Sequence, residues 1–389
     1  MAYVYKTSKH REDQEPMDLT AVDLFSGGGG ASLGIHRVDG VELQGAAEIN
    51  EEVREHYNKN LPVEAADIDL TDDDALNQIC SKYGLEPEDI DLVIGCPPCQ
   101  KYSSLQDTTP PLDDGPKNKL LNVYIDLILK IAPKVVVFEN VPGLMSEKNE
   151  QYVDDLRYHL RKSNYGFDLK RLCTADYGVP QDRDRVIGIG IQGVSSEEVT
   201  LPEPTHAPPE QADSEGKEPY RTVGDAIGDL PPLEAGETHD DLPFNGHRAR
   251  NHRKNTVEFM KQIPENGGSR TDLPEEDQLE CHKNLDNKSS AGNVYGRMTW
   301  EEPGPTLTGR CTTPSSGRFV HPEQDRGISP REAARIMTFP DDYDLPDSNG
   351  TAERLIGNAV PPDFIATVLS DFLTQHEDLI KESQAQLAD

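Results

Sequence analysis

Two cysteines separated by two prolines, Cys96 and Cys99, stand in the segment with the clearest chemical potential, IGCPPCQKYSSL at residues 94–105. A CxxC pair is compatible with a zinc site, with thiol redox chemistry or with one nucleophilic thiolate. The other four cysteines are scattered singly, whereas a four-ligand zinc site needs a second close pair, so we expect no metal. A thioredoxin-like redox motif would open a helix, but the pair is followed by a predicted loop that contains Gln100 and Ser103, which argues against redox chemistry. The nucleophile is the favoured interpretation of the three.

A glycine cluster, DLFSGGGGASLG at residues 23–34, follows an apolar run that ends at Phe25. A strand, a glycine turn and a helix start can receive an anionic group, although a flexible turn has the same composition. Glu48 closes the next apolar run, 21 residues after Gly27, where a carboxylate can bind ribose hydroxyls. Asp67, near the end of a third predicted strand, could accept from an adenine amino group. Together these residues suggest a nucleoside site.

The elements that must position these residues alternate between short apolar runs and helical patterns. This alternation predicts an α/β domain with a parallel sheet. The predicted strands are TAVDLF, VELQGAAEI, IDLVIGC, KVVVFEN and RVIGIGI, and the predicted helices include KLLNVYIDLILKI, DDLRYHLRKSNYGF and DFIATVLSDFLTQHEDLI. A Pro-, Ser- and Glu-rich stretch from Gly193 predicts a linker, and little periodicity follows at about 220–319. The motifs SPREAARIMTFP and GNAVPP then restore the α/β pattern.

The charge distribution is strongly acidic but uneven. The chain has 71 acidic and 38 basic residues, a net charge of −33, which by itself argues against a polyanionic partner. Residues 245–320 are nearly neutral, with 11 Lys and Arg against 10 Asp and Glu. Their most basic part, HRARNHRKN, holds Arg248, Arg250, Arg253 and Lys254. A uniform acidic excess with only 18 lysines predicts a halophilic source.

The compartment is predicted from what the sequence lacks. The first twenty residues carry charges throughout and contain no apolar run of the kind that forms a secretory signal. The most apolar stretch, residues 120–141, is interrupted by charges, so we expect no membrane span. Six cysteines are too few for a disulfide framework at this length. We therefore expect a reduced, cytoplasmic protein.

Six motifs occur together in an order that resembles the cytosine-C5 DNA methyltransferase family. They span residues 19 to about 376 and are DLFSGGGG, GCPPCQ, ENV (139–141), QDRDR (181–185), REAARIMTFP (331–340) and GNAVPP (357–362). Three positions depart from the family pattern. Lys101 and Cys96 stand where small residues are common, and Ile49 stands where an aromatic side chain often stacks on adenine.

The resemblance implies a Rossmann-like methyltransferase domain dependent on S-adenosyl-L-methionine (AdoMet). This domain would comprise residues 15–200 and 328–389, and residues 201–327 would hold a linker and a small target-recognition domain. The implied catalytic residues are Cys99, Glu139, Arg183 and Arg185. The implied cofactor-binding residues are Phe25, Gly27, Gly29, Glu48, Asp67, Ile68, Pro97, Leu120, Asn358 and Val360. The implied DNA-binding residues are Gln100, Ser103, Arg248, Arg250, Arg297 and Arg310.

The implied reaction is methylation of C5 of a cytosine extruded from double-stranded DNA. Cys99 would add to C6 and activate C5, Glu139 would share a proton with N3, and Arg185 would donate to O2. Arg183 would position neighbouring groups or a phosphate. A monomer is expected, with a cognate restriction endonuclease as a further candidate partner. The alternatives are a tRNA cytosine-5 methyltransferase of the same fold, a catalytically inactive DNA-binding module and, more distantly, a dinucleotide oxidoreductase.

Overall fold

A mixed sheet of six strands forms the centre of the protein in the computed structural model, which describes residues 17–98, 119–279 and 293–387. The strands in chain order are β1 (Leu19–Leu24), β2 (Val41–Ala47), β3 (Leu92–Gly95), β4 (Val135–Asn140), β5 (Tyr165–Cys173), β6 (Gln181–Asp182), β7 (Asp184–Gln192), β8 (His206–Ala207), β9 (Glu218–Pro219) and β10 (Gly304–Pro305). The six-stranded sheet has the order β2-β1-β3-β4-β7-β5, and β7 alone in it runs antiparallel to its neighbours.

Helices cover both faces of this sheet. In chain order they are α1 (Gly30–Ile35), α2 (Glu51–Asn60), α3 (Ala75–Tyr83), α4 (Lys119–Ile131), α5 (Glu150–Lys162), α6 (Pro209–Glu215), α7 (Val223–Ile227), α8 (Lys254–Met260), α9 (Pro330–Ile336), α10 (Asn349–Asn358), α11 (Pro362–Gln375) and α12 (Glu377–Leu387). No helix in the described ranges is long and apolar enough to cross a membrane.

Alternate residues of each strand belong to different cores, as the two-residue period of a strand requires. Val135 and Val137 of β4 pack into the core that contains α1 and α11, whereas Val136 and Phe138 pack into the core with α3, α4 and α5. Continuous apolar strands are expected for a sheet that is covered on both faces. The chain goes from β1 to β2 on one side and later returns to place β3 on the other. The carboxyl ends of β1 and β3 therefore border the crevice where ligands bind in such sheets.

The α/β prediction is confirmed, and three details of it are wrong. The predicted helix at 154–167 ends at Lys162, because Asn164 adopts a positive φ of 63° and Tyr165 begins the edge strand β5. The third strand predicted before Asp67 is reduced to one bridge between Ala47 and Ala66. The long C-terminal helix is divided into α11 and α12.

The described part of the inserted segment shares its core with the returning chain. Val223 and Ile227 of α7, together with Leu307 and Phe319, pack against apolar residues of α9 and α10. Short elements and loops make up most of this segment. The domain boundaries at 200 and 328 remain predictions, although this shared core shows that the insert is attached over a broad surface.

Candidate active site

The glycine turn after β1 holds the carboxylate that ends β2. The Gly27 N–H donates to Glu48 Oε2 at 2.9 Å, and the Asn50 N–H donates to Glu48 Oε1 at 2.7 Å. Gly27 has a φ of 55°, and a Cβ added there would meet no atom within 4 Å, so the turn faces open space. Phe25 also has a positive φ, 62°, which marks the sharp bend between strand and turn. Glu48 is thus fixed beside an open crevice.

The groups around Glu48 fit an adenosine moiety. Ile49 is 58% exposed, one of the few large apolar side chains left in solvent, and can cover the face of a planar base. Arg54 donates to the Glu48 backbone oxygen at 2.9 Å and to Asp67 Oδ1 at 2.9 Å, which brings the two carboxylate-bearing segments together. Ile68 is buried behind them. A carboxylate that can accept from the ribose hydroxyls and another beside an apolar surface are the acceptors that the adenosine part of AdoMet requires.

The other predicted cofactor residues lie at neighbouring positions. The Val360 backbone lies against the glycine turn: a Cβ built on Gly30 would be only 2.2 Å from the Val360 carbonyl oxygen. Pro97 is buried, and its carbonyl accepts from Asn140 Nδ2 at 3.3 Å. Asn358 is exposed at the end of α10, Leu120 is half-buried in the first turn of α4, and Gly29 has a φ of 83° at the N-terminus of α1.

A buried ion pair lies at the carboxyl edge of the sheet, next to this crevice. Arg185 Nε lies 2.9 Å from Glu139 Oε1, and both side chains are almost fully buried. Burial raises the pKa of Glu139 above its ordinary value, while Arg185 and then Arg183 oppose that rise. A carboxyl group with these properties can keep its own proton or share it with a ring nitrogen.

Arg183 ties its own segment to two distant parts of the chain. It is only 1% exposed and donates to the carbonyl oxygens of Leu307 at 2.6 Å, Gly357 at 2.9 Å and Ala359 at 3.1 Å. The predicted alternative of a phosphate contact is wrong for this structure, because the side chain is buried and both terminal nitrogens donate to backbone carbonyls. Its predicted role in positioning neighbouring groups agrees with these contacts.

Residues 19–373 match the family described as C-5 cytosine-specific DNA methylase. The chain belongs to this family. It is 33% identical over 350 residues to the Type II methyltransferase M1.HphI of Haemophilus parahaemolyticus, covering 89% of this chain and 84% of that protein. It is 32% identical over 346 residues to the Type II methylase M.HgiDII of Herpetosiphon aurantiacus, covering 87% and 91% of the two chains. Membership makes the protein a DNA cytosine-5 methyltransferase that uses AdoMet.

Solved structures show the same fold at lower identity. A crystal structure described as a DNA modification methyltransferase encoded within a prophage of E. coli superimposes with a TM-score of 0.69 at 23% identity, covering 92% of this chain and all of that one. The Dnmt2 methyltransferase of S. pombe gives a TM-score of 0.57 at 15% identity, with 92% and 99% covered. The Rossmann-like fold is therefore confirmed.

Arg297 of the methyltransferase is not available to DNA, so its predicted DNA contact is wrong. It is 1% exposed and donates to backbone carbonyls of α8 and the following turn, Met260 at 2.9 Å and Ile263 at 3.1 Å. Its remaining donors meet His321 O at 3.1 Å, Gln324 O at 2.8 Å and Asp325 Oδ1 at 2.5 Å. Arg297 is therefore a buried structural residue, and the tertiary contacts that make it so cannot be seen in the sequence.

Arg248 and Arg250 also bind protein groups. Arg248 donates to Asn349 Oδ1 at 2.7 Å and to Pro346 O at 2.5 Å. Arg250 Nη2 lies 3.1 Å from Glu353 Oε1 and 3.1 Å from the Thr312 hydroxyl. Both attach the insert to α10 and its approach, so their predicted DNA contacts now compete with structural roles.

Exposed cations remain on the insert. Arg310 is exposed, as are Arg253 and Lys254 at the start of α8. None of the three has an ion pair among the described residues. Cys99, Gln100 and Ser103 were also predicted as site residues, and they lie outside the described residues.

One buried network near the site was missed by the sequence analysis. Ser32 Oγ donates to Asp23 Oδ2 at 2.5 Å, and Tyr57 OH donates to Ser32 Oγ at 2.9 Å. Burial raises the pKa of Asp23 to about 7, although the Ser32 hydrogen bond opposes this rise. Gly27 and Gly29 would begin a dinucleotide-binding fingerprint whose third small residue falls at position 32, where Ser32 stands instead. That departure was the only signal in the sequence.

Proposed function

We propose that this methyltransferase acts on a cytosine extruded from double-stranded DNA, with Cys99 as nucleophile and Glu139 and Arg185 around the ring. The observation that carries the proposal is the buried Glu139–Arg185 pair at the carboxyl edge of the sheet. Its position is one strand away from the segment Cys96–Pro97, which leads directly to Cys99. A buried acid and a guanidinium close to the segment that leads to Cys99 are the groups needed to stabilise a pyrimidine ring while a thiolate adds to it.

Cysteine addition solves the problem that C5 of cytosine is a weak nucleophile. The Cys99 thiolate forms a bond to C6, and the ring electrons move toward C5, which can then form a bond to carbon. AdoMet, when bound, supplies an electrophilic methyl group. Loss of the C5 proton to a base restores the C5–C6 double bond and expels the thiolate.

Glu139 and Arg185 supply the electrostatic part of the mechanism. Negative charge develops on the ring when C6 is attacked, and a proton from Glu139 at N3 offsets it. The same carboxyl group can accept from the exocyclic N4 amine, which selects cytosine. Arg185 Nε holds the carboxyl at 2.9 Å and Nη1 donates to the Asp184 carbonyl at 2.7 Å, so Nη2 is the nitrogen that can donate to O2.

Burial of this pair explains why the base must leave the helix. Glu139 and Arg185 are each less than 10% exposed, so a stacked cytosine cannot reach them. Extruding one base costs a few kcal/mol, which contacts in the pocket and along the backbone offset. The insert, residues 201–327, is proposed to supply the sequence recognition, with Arg310, Arg253 and Lys254 as exposed candidates for DNA contacts.

The wider setting follows from the relatives and from composition. The two relatives are named a Type II methyltransferase and a Type II methylase, which supports a restriction-modification role and a cognate endonuclease. The acidic excess supports a halophilic source, and six cysteines, too few for a disulfide framework at this length, support a reducing, cytoplasmic location. We propose that the enzyme acts as a monomer.

Methyl transfer from labelled AdoMet to unmethylated duplex DNA, with tRNA as the competing substrate, tests this function. We expect label in DNA cytosine and none in tRNA. The Cys99→Ser variant should lose transfer while keeping AdoMet affinity, because a hydroxyl is far less ionised than a thiol at neutral pH. Cys96→Ser is the matched control and should retain most of the activity. Transfer to tRNA alone, or full activity of Cys99→Ser, would overturn the proposal.

A further inference from the structure

Cys96 lies beside Glu139 on the same face of the sheet. Gly95 of β3 pairs with Phe138 of β4 in parallel register, so the next residues along, Cys96 and Glu139, are neighbours across adjacent strands. Parallel strands are about 4.8 Å apart, which is within reach of a thiol and a carboxyl group. Both residues follow the alternate positions that face α1 and α11, and Cys96 packs against that core.

The same face carries the other charged groups of the site. Arg185 occupies one of the alternate positions of β7 whose side chains face the core with α1 and α11, and its Nε pairs with Glu139 Oε1. Arg183 adds a second positive charge near the carboxyl group, and Asp23 of β1 adds a negative charge near Cys96. The groups that act on the protonation of Glu139 are therefore Cys96, directly after β3, Arg185 in β7 and Arg183, directly before β7.

The thiol of Cys96 remains protonated in these surroundings. Burial raises its pKa well above the ordinary value, and the negative charges of Glu139 and Asp23 raise it further. A protonated thiol next to a carboxylate can donate a hydrogen bond to it, and a thiol one strand spacing from Glu139 favours the ionised carboxylate. Arg185 occupies one side of the carboxylate, so the thiol provides a second, weaker donor.

We propose that Cys96 is a positioning residue of this enzyme, whose thiol donates to Glu139 and fixes both the orientation of the carboxylate and its affinity for a proton. The inference deepens the proposed function, because the proton that Glu139 shares with cytosine is the one Cys96 controls. Cys96 stands where small residues are common in the family pattern. This enzyme therefore has a donor at a position where a small side chain would provide none.

The proposal makes a directional prediction about substitutions at this position. Loss of the donor raises the pKa of Glu139 further, because a hydrogen bond to the ionised form no longer favours that form. Cys96→Ala removes the donor, and Cys96→Val removes it while filling the space of the thiol with a slightly larger apolar side chain. Cys96→Ser keeps a hydroxyl donor in place. The first two variants should therefore behave alike, and the serine variant should resemble the wild type.

Infrared titration of the Glu139 carboxyl group in the folded, full-length protein tests this without any turnover. All proteins are grown with isotope-labelled glutamate. For the wild type and for each Cys96 variant, the Glu139 band is identified by subtracting the spectrum of the same protein that also carries Glu139→Gln. We expect the titration midpoint of Cys96→Ala and Cys96→Val to move to higher pH, and that of Cys96→Ser to stay at the wild-type pH. The Glu139-dependent limb of the kcat/KM pH profile should move in the same direction.

Equal midpoints in all four proteins, or a serine variant that shifts as far as the alanine variant, would overturn the role of Cys96. AdoMet affinity serves as the control for folding and should be the same in every variant. Failure of the proposed function is a separate result, because it would appear as full methyl transfer by Glu139→Gln. The infrared midpoints would still report on the pairing of Cys96 with Glu139.

Discussion

At the scale of single residues, the QDRDR motif shows how one residue type takes two different roles. Arg183 and Arg185 are two positions apart, yet Arg185 faces Glu139 and Arg183 is enclosed by carbonyl oxygens. Those carbonyls come from residues more than 120 positions away in the chain. The sequence motif identifies both arginines as important, and only the tertiary contacts separate a chemical role from a structural one.

Arg183→Lys should therefore reduce stability more than it affects DNA binding. An ammonium group cannot reach three carbonyls in different directions, so buried acceptors lose partners, at a cost of roughly 2–4 kcal/mol of unfolding free energy. Urea unfolding measures this cost. Arg310→Lys is the control and should change stability very little, because Arg310 is exposed. A fully stable Arg183→Lys protein that has lost DNA affinity would contradict the structural role.

At the scale of elements, the glycine turn serves packing as well as ligand binding. Gly30 begins α1 and touches the Val360 carbonyl, and Gly34 in the same helix lies against Pro362 and Ile365 of α11. The helices α1 and α11 can pack this closely only where no side chain separates them. The glycine-rich sequence thus joins the first motif to the last.

Gly30→Ala should lower stability, because its Cβ would lie 2.2 Å from the Val360 oxygen and the backbone must shift. Overpacking of this kind typically costs roughly 1–3 kcal/mol. Gly350→Ala in the first turn of α10 is the matched control, since its Cβ would meet only the Ser348 hydroxyl, at 3.8 Å. That variant should be neutral or slightly more stable. Thermal unfolding that shows equal losses for both would refute the packing argument.

A buried ion pair connects the insert to α9 and makes the stability of this junction depend on pH. Arg326 donates to both oxygens of Glu332, at 2.8 and 2.7 Å, and the Ser329 N–H donates to Oε2 at 2.6 Å. These donors outweigh burial and hold the pKa of Glu332 at about 2, below its ordinary 4.5. A lowered pKa in the folded state contributes stability above the ordinary pKa, and this is lost as pH falls through the folded value.

Glu332→Gln removes this contribution and leaves Arg326 buried without its charged partner. We expect the variant to be roughly 3–5 kcal/mol less stable than the wild type near neutral pH. The difference should narrow as pH falls from 4.5 toward 2, because the wild type then loses its own carboxylate. Urea unfolding at a series of pH values measures the gap. A gap that is constant with pH would show that the charge of Glu332 does not stabilise the junction.

At the scale of the whole molecule, the sequence predicts the parts whose physics is local. Helix α4 and the central strands follow from apolar periodicity, whereas Glu139 was identified as a site residue by the resemblance of its motif to the family. The edge strand β5 was missed because its alternation is short and follows a helix directly. The insert was harder still, since its core is shared with α9 and α10 and its arginines bind carbonyls that are distant in sequence.

Charge is the property that only the whole molecule determines. A protein with a net charge of −33 repels DNA over about 30 Å at 0.01 M salt, and over only about 3 Å at 1 M. Ordinary DNA binding weakens with salt, by a slope of about −0.9 in log affinity for each phosphate contact. In this protein, added salt screens the long-range repulsion between the acidic surface and DNA, and it also weakens the local contacts with phosphates, so the two effects oppose each other. We expect a shallow or non-monotonic dependence of activity on salt, with activity persisting near molar salt.

Methyl transfer measured across salt concentrations, with folding followed in parallel, tests this prediction. Replacing Arg253, Lys254 and Arg310 together by Gln should weaken DNA binding at every salt concentration and leave AdoMet affinity unchanged. These three are better targets than Arg248 and Arg250, which attach the insert to α10. Activity that is highest in dilute buffer and falls steeply, in a protein that stays folded, would refute salt adaptation and leave the methyltransferase assignment intact.

Covalent trapping tests the central claim most directly. Long DNA amplified with 5-fluorodeoxycytidine triphosphate carries fluorine on each newly copied cytosine, including those in any target sequence it contains, and fluorine at C5 cannot leave as a proton does. With AdoMet present, we predict a denaturant-resistant protein–DNA adduct whose modified peptide contains Cys99, at a rate reduced by Glu139→Gln and with no adduct from Cys99→Ala. An adduct with Cys99→Ala, or no adduct from wild-type protein that methylates ordinary DNA, would contradict Cys99 as the nucleophile.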